Sequence, residues 1–235
     1  MTQENMTIVL AHGAWADGSS WRGVIGPLRD AGLEVVAAPL PLTSLKDDVD
    51  ALERTLARLA GPVVLVGHAY AGSVIGEARS DKVRALAYVA ALAPDEGETV
   101  ADVFYRDEPH PLAPKLAPDA HGLIWLPREA FASAFAQNAS ATDRDWLAAV
   151  QRPIAVPCIS TPVGRPRWKD VPSWYLLAED DRMIRKETQA WMAARMKAKV
   201  VSHAVDHTPS VTAPRVVVDL IVAAAASVAG AAKGD

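Results

Sequence analysis

One cysteine in 235 residues, Cys158, has no second thiol to pair with, so no internal disulfide framework can hold this chain together. A basic excess is missing too: 24 Lys and Arg against 28 Asp and Glu give a net charge of -4, which offers no positive field to phosphate backbones or anionic lipids. Nucleic acid and membrane are therefore not expected as partners, and a small molecule is. Long apolar runs are absent as well, because Val216–Ala229 is alanine-rich and broken by Asp219 and Ser227. The opening MTQENMTIVL lacks the basic flank and apolar run of a secretory signal, so a cytoplasmic protein is expected. There is no G-x-G-x-x-G dinucleotide fingerprint. His203 and His207 are four apart, but they lie in a segment that reads as strand then loop, not on a helix face that would align two metal ligands. Neither a cofactor nor a metal is expected, and oligomeric state is left open between monomer and homodimer.

What is present is an alternation of short apolar runs with helical patterns. Half of the residues are hydrophobic, enough for one substantial core in a single unit spanning 1–235. Thr7–Ala11, Glu34–Ala38, Val63–Val66 and Val83–Ala91 read as strands buried on both faces of a parallel sheet. Between them come a helix from about Ser20 to Ala31 closed by Gly32, and a second, capped by Ser44, with Leu45, Val49, Leu52, Leu56 and Leu59 at helical spacing. Ser173–Ala178, a helix from about Lys186 to Lys197, a sixth strand Lys199–Val205 and a helix from about Ala213 complete the pattern. Such a chain is α/β, with about six mainly parallel strands flanked by helices.

The middle departs from this rhythm. Residues 93–172 hold 11 of the 17 prolines and 7 of the 14 aromatic residues. We read 95–170 as an inserted helical lid, with short amphipathic helices over Arg128–Asn138 and Thr142–Gln151 and irregular chain over Pro109–Pro118. Most of its aromatics are expected to fill the lid's own core, while Trp125 is assigned with Trp15 to the substrate pocket. His110, His121 and Arg128 are candidates to orient a polar group of the substrate.

The centre of the chain is Val63–Gly72, VVLVGHAYAG. A strand turns abruptly into a helix with small residues either side of one position, which is the build of a nucleophile elbow. Gly67 and Ala71 meet its steric demand, yet the central residue is Ala69.

Together, His12-Gly13-Ala14-Trp15, Gly67-His68-Ala69-Tyr70-Ala71-Gly72, Ala178-Glu179-Asp180-Asp181-Arg182-Met183-Ile184 and Asp206-His207-Thr208-Pro209 resemble the signature segments of the α/β-hydrolase superfamily. The resemblance spans the chain and is nearest to small bacterial esterase-like members and the plant hydroxynitrile lyase and methylesterase group. It implies the α/β-hydrolase fold, with His207 as general base and Asp181 as its partner, since Asp181 and Ile184 meet the family's D-x-x-I spacing. His203 is the rival base, but its place inside a strand suggests a buried or sheet-facing structural role. The oxyanion would be held by the backbone N–H groups of Ala14 and Tyr70. His12 and His68 take structural roles in their turns. Ser73 is too far along its helix to replace the nucleophile.

Alanine cannot form an acyl-enzyme, and loss of a serine nucleophile costs on the order of 10⁶ in turnover. We therefore read the chain as a serine-type hydrolase for an apolar or aromatic ester or lactone, carrying an engineered Ser→Ala change at 69 and nearly inactive. Two other readings stay open. One is a naturally serine-free lyase or oxygenase using the His207–Asp181 dyad, and the other a non-catalytic ligand-binding protein on the same fold.

Overall fold

The structure is a computed structural model that describes residues 6–231. Strand β1 (Thr7–Ala11) leads through a 3₁₀ turn into α1 (Arg22–Asp30), which ends where Gly32 takes φ 80°, a conformation open to glycine. Next come β2 (Glu34–Ala38), α2 (Leu45–Ala57), β3 (Val63–His68), α3 (Ala71–Gly76) and β4 (Val83–Val89). Ser44 caps α2 by accepting a hydrogen bond from the Asp47 amide at 3.0 Å. β4 stops two residues before the expected Ala91, because Ala90 turns to φ 43° and leaves the strand direction.

The inserted segment holds α4 (Val100–Phe104), β5 (Leu123–Ile124), α5 (Ala141–Val150), β6 (Ile154–Ala155) and α6 (Val156–Ser160), with β5 and β6 pairing antiparallel. The sheet resumes with β7 (Ser173–Ala178), α7 (Lys186–Arg195), β8 (Lys199–His203), α8 (Pro209–Thr212) and α9 (Pro214–Ala231). The expected helix over Arg128–Asn138 is instead a wide π-type turn, Phe131–Phe135, closed by the Ala136 amide on the Phe131 carbonyl at 3.0 Å. Phe131, Ala134 and Phe135 are all buried, so packing sets this backbone and overrides the helical pattern.

The main sheet has the order β2-β1-β3-β4-β7-β8, and every pair is parallel. Alternate residues face opposite sides. Ile8, Leu10, Val64 and Val66 pack with Val24 and Leu28 of α1 and Ile221 of α9, while Val9 and Leu65 pack with Leu52 of α2, Ile75 of α3 and the inserted segment. Both faces are therefore apolar, and each buried Val, Leu or Ile contributes about 1.5–3 kcal/mol. In register, Ala11 stands beside Gly67 and His68 beside Val89, so the turns after β1, β3 and β4 gather at one edge. The outermost strand, β8, differs: all five of its residues are exposed. His203 is thus an exposed edge residue and not a buried one, because β8 lies at the sheet's margin and pairs only with β7. Among the described residues no helix is long and apolar enough to cross a membrane.

Candidate active site

Ala69 sits at the tip of the β3–α3 turn with φ 49°, a left-handed conformation that costs an alanine strain. The turn is held from both sides: the Ala69 amide donates to Val89 O at 3.3 Å, and Ala69 O accepts from Gly72 N at 3.1 Å and Leu92 N at 2.9 Å. Side chains are excluded around it. A Cβ on Gly67 would stand 2.8 Å from Ala71 O, one on Gly72 would stand 2.3 Å from Leu92 O, and one on Gly13 would meet the Ala69 Cβ at 3.0 Å. Without a side chain at Gly13 the HGA turn and the elbow approach this closely with neither giving way.

Two amides next to Ala69, those of Ala14 and Tyr70, have no hydrogen-bond partner among the described residues. They belong to residues that line one pocket together with Ala69 and His207. The rest of its wall is apolar, including Trp15, Leu92, Val100, Phe104, Leu116 and Met183. Trp15 is anchored by its indole N–H, which donates to Ile124 O at 2.9 Å, and by its own φ of 58°.

His207 is buried in the turn before α8, and its Nδ1–H donates to Asp181 Oδ2 at 2.8 Å. That contact leaves Nε2 as the imidazole's other nitrogen, in a ring that lines the pocket. Asp181 follows β7, and its Oδ1 accepts from the amides of Met183 at 2.7 Å and Ile184 at 2.9 Å. The D-x-x-I spacing thus has a local cause: the turn that places Ile184 in the pocket wall also ties the carboxylate to its own backbone. Glu179 and Asp180 are exposed, and Glu179 accepts from the Ser202 hydroxyl.

One support was not visible as such in the sequence. Gln189 of α7 is fully buried; its amide donates to Asp181 Oδ2 at 2.9 Å and Ile184 O at 2.8 Å and accepts from Ala178 N at 3.0 Å. No spacing signal marks it beyond its position inside an ordinary helical pattern. His68 donates from Nε2 to the main-chain oxygen of His207 at 2.6 Å, and the two rings lie 4.9 Å apart. Burial pushes the His68 imidazole down to about 3, so it is a neutral strut under the His207 turn. His12 is also held low by burial.

Trp125 does not take the pocket position expected of it. It is 48% exposed, does not line the pocket, and its indole donates to Asp119 instead; the β5–β6 ladder turns Ile124 inward and Trp125 outward. His110, His121 and Arg128 do not line it either, and Arg128 pairs with Asp145 at the surface. The Ser73 hydroxyl is buried and donates to Tyr70 O at 2.7 Å. Among the described residues no group of three or more His, Cys, Asp or Glu is arranged to hold a metal ion.

A parallel sheet with a strained β3 elbow, a buried His–Asp pair and two unpartnered amides of pocket-lining residues at the same edge defines a hydrolase-type scaffold. Residues 8–220 match the model of the alpha/beta hydrolase family, and the chain belongs to that family. It is 26% identical over 237 residues to an alpha/beta hydrolase of Aspergillus novofumigatus (strain IBT 16806), covering 91% of this chain and 94% of that one. A carbendazim hydrolyzing esterase of Nocardioides sp. (strain SG-4G) is 29% identical over 166 residues, covering 59% of this chain and 65% of that one. Among solved structures, a pyrethroid hydrolase from Sphingobium faniae JZ-2 superposes with TM-score 0.80 at 22% identity, covering 96% of this chain and 99% of that one. Polyneuridine aldehyde esterase superposes with TM-score 0.77 at 19% identity, covering 93% and 98%.

Proposed function

We propose that this is an esterase-type site for an apolar or aromatic ester or lactone, with Ala69 standing where the covalent chemistry requires serine. The observation that carries it is the convergence of Ala69, the His207–Asp181 pair and the Ala14 and Tyr70 amides on one apolar pocket. With a serine at 69, His207 Nε2 would take the hydroxyl proton as the oxygen attacks the carbonyl, then return it to the leaving alcohol. Asp181 fixes the tautomer and stabilises the imidazolium, and the two amides receive the developing oxyanion. Among the described residues no Lys or Arg lines the pocket, which favours a neutral substrate. The esterase and hydrolase names of the relatives agree with this reading. Within it, Ala69 is an engineered Ser→Ala replacement, and 95–170 serve as a lid, supported by Val100, Phe104, Leu116 and Ile154 in the pocket wall. A cytoplasmic location belongs to the same proposal and rests on the lone cysteine.

A second reading is favoured by one observation: the dyad and both amides are complete without the nucleophile. His207 can then act alone as general base, drawing a proton from substrate or water while the amides hold the oxyanion.

The test is Ala69→Ser, measured by hydrolysis of short p-nitrophenyl esters and by fluorophosphonate labelling beside the unmodified chain. A gain of several powers of ten with label confined to residue 69 is expected. A folded variant with no gain and no label defeats the first reading. The second then requires that the unmodified chain turn over a substrate and that His207→Ala abolish it.

A further inference from the structure

Asp48 is a buried acid that does not line the pocket. It lies in the first turn of α2, fully buried, and its hydrogen-bond partners are all neutral. Oδ1 accepts from the Leu42 amide at 2.7 Å; Oδ2 accepts from the Tyr70 hydroxyl at 2.7 Å and faces Cys158 Sγ at 3.6 Å. Burying a carboxyl without a cation is costly, and an apolar side chain would fill the space more cheaply. The N-terminal turn of α2 offsets part of that cost through its dipole. Burial raises the Asp48 pKa, and it raises the Cys158 thiol to about 12, so the thiol stays protonated as a weak donor.

What the carboxyl gains is a hold on three separate segments. Leu42 belongs to the loop after β2 and stands at φ 61°, with its carbonyl accepting from Ala155 N at 3.0 Å. Cys158 lies on α6 of the inserted segment. Tyr70 is the residue after the strained Ala69, and no side chain caps the short helix it begins. Tyr70 lines the pocket while its hydroxyl reaches back into α2. A strained turn persists only where its surroundings over-determine it. Hydrogen bonds fix Ala69 on the main-chain side, and the phenol tether fixes Tyr70 on the other.

We propose that Asp48 is a positioning residue for the oxyanion donor, using the phenol of Tyr70 to fix the backbone N–H of that same residue toward the pocket. The proposal rests on the reading of the site given above. It separates from a role in bracing the Leu42 loop alone, because Tyr70→Phe cuts the tether and leaves the Leu42 contact in place.

Two measurements test it. In the Ala69→Ser chain, Tyr70→Phe and Asp48→Asn should each lower kcat about ten-fold with KM nearly unchanged, the mark of a displaced transition-state donor. A lower Tm with kcat per folded molecule unchanged would overturn the proposal. In the unmodified chain, Asp48→Asn should shift and broaden the ¹H–¹⁵N cross-peak of the Tyr70 amide while that of Ala14 stays in place; an unmoved Tyr70 peak overturns it. If Ala69→Ser hydrolyses nothing, the esterase reading fails, and the spectroscopic comparison decides the positioning by itself. If Asp48→Asn does not fold, Tyr70→Phe carries both comparisons, with the amide signal read at Ala71.

Discussion

The turns at the C-terminal edge of the sheet and the segment inserted between β4 and β7 meet across one pocket, yet they are built differently. On the sheet side, Ala69, Asp181 and His207 are buried, and Asp181 has four hydrogen-bond donors on its two oxygens. On the inserted side, the elements are two to ten residues long, and Tyr105, Leu112 and Trp125 stand exposed. The sheet side offers fixed polar groups, and the inserted side offers apolar wall. Reaction chemistry needs atoms held to fractions of an ångström, whereas apolar contact tolerates exchange of one side chain for another of similar volume. On the proposed function, the site divides its labour, with catalytic geometry on the sheet turns and substrate preference on the insertion.

The largest expected effect isolates the sheet side. Ala69→Ser should raise ester turnover by roughly 10³-fold or more, since the nucleophile's loss is worth on the order of 10⁶, and adding His207→Ala should remove the gain. A gain that survives loss of His207 would break the division.

Next in size is Gly72→Ala, whose Cβ would meet the Leu92 carbonyl at 2.3 Å. Because backbone lies on both sides of that contact, a destabilisation of about 1–3 kcal/mol or more is expected in urea unfolding. An unchanged midpoint would mean the elbow is less tightly clamped than its contacts imply.

Acid titration should report on the sheet side alone, where the buried imidazoles lie. The His68 imidazole falls to about 3 in the folded state against 6.5 in the unfolded chain, so between those values the unfolded state binds the extra proton. Stability is then fully present above pH 6.5 and is lost as pH drops toward 3, by up to about 1.4 kcal/mol per pH unit for one proton. His12, also held low, adds to this slope, while the raised carboxyls of Asp48 and Asp206 oppose it. Comparing unfolding of the parent and His68→Gln from pH 7.5 to 4, the parent's advantage should shrink as the pH falls. A constant difference would remove His68 from the linkage.

The smallest effects belong to the insertion. In the Ala69→Ser chain, Phe104→Ala should raise KM for aromatic esters several-fold with little change in kcat, as expected for binding shared by ground and transition states. Trp125→Ala, at an exposed position, should change neither parameter. A kcat effect from Phe104 would place catalytic geometry on the insertion as well.

The fold was largely legible because its strands are short apolar runs buried on both faces, and that signal is local. Thr7–Ala11, Glu34–Ala38 and Ser173–Ala178 match the expected bounds. The insertion was less so: Arg128–Asn138 carries a helical pattern, but burial of Phe131 and Phe135 bends it into a π-type turn. The candidate site divides in the same way. His207 and Asp181 sit in turns whose sequence marks them, and the structure brings them within a hydrogen bond of each other. Trp125 and Ile124 are neighbours in sequence, and only strand pairing decides that Ile124 faces the pocket. Gln189 and Asp48 look like ordinary helix residues, and their partners Asp181 and Tyr70 lie 8 and 22 positions away.

The sequence by itself determined the order of strands and helices, the glycines at the elbow, and the alanine at its centre, because each depends on the residue at one position and its immediate neighbours. Tertiary structure alone decided which indole faces the pocket, that His203 lies exposed on an edge strand while His207 is buried, and that a carboxyl on α2 holds the residue after Ala69. Those are contacts between segments distant along the chain, and no local pattern encodes which of several similar side chains will meet.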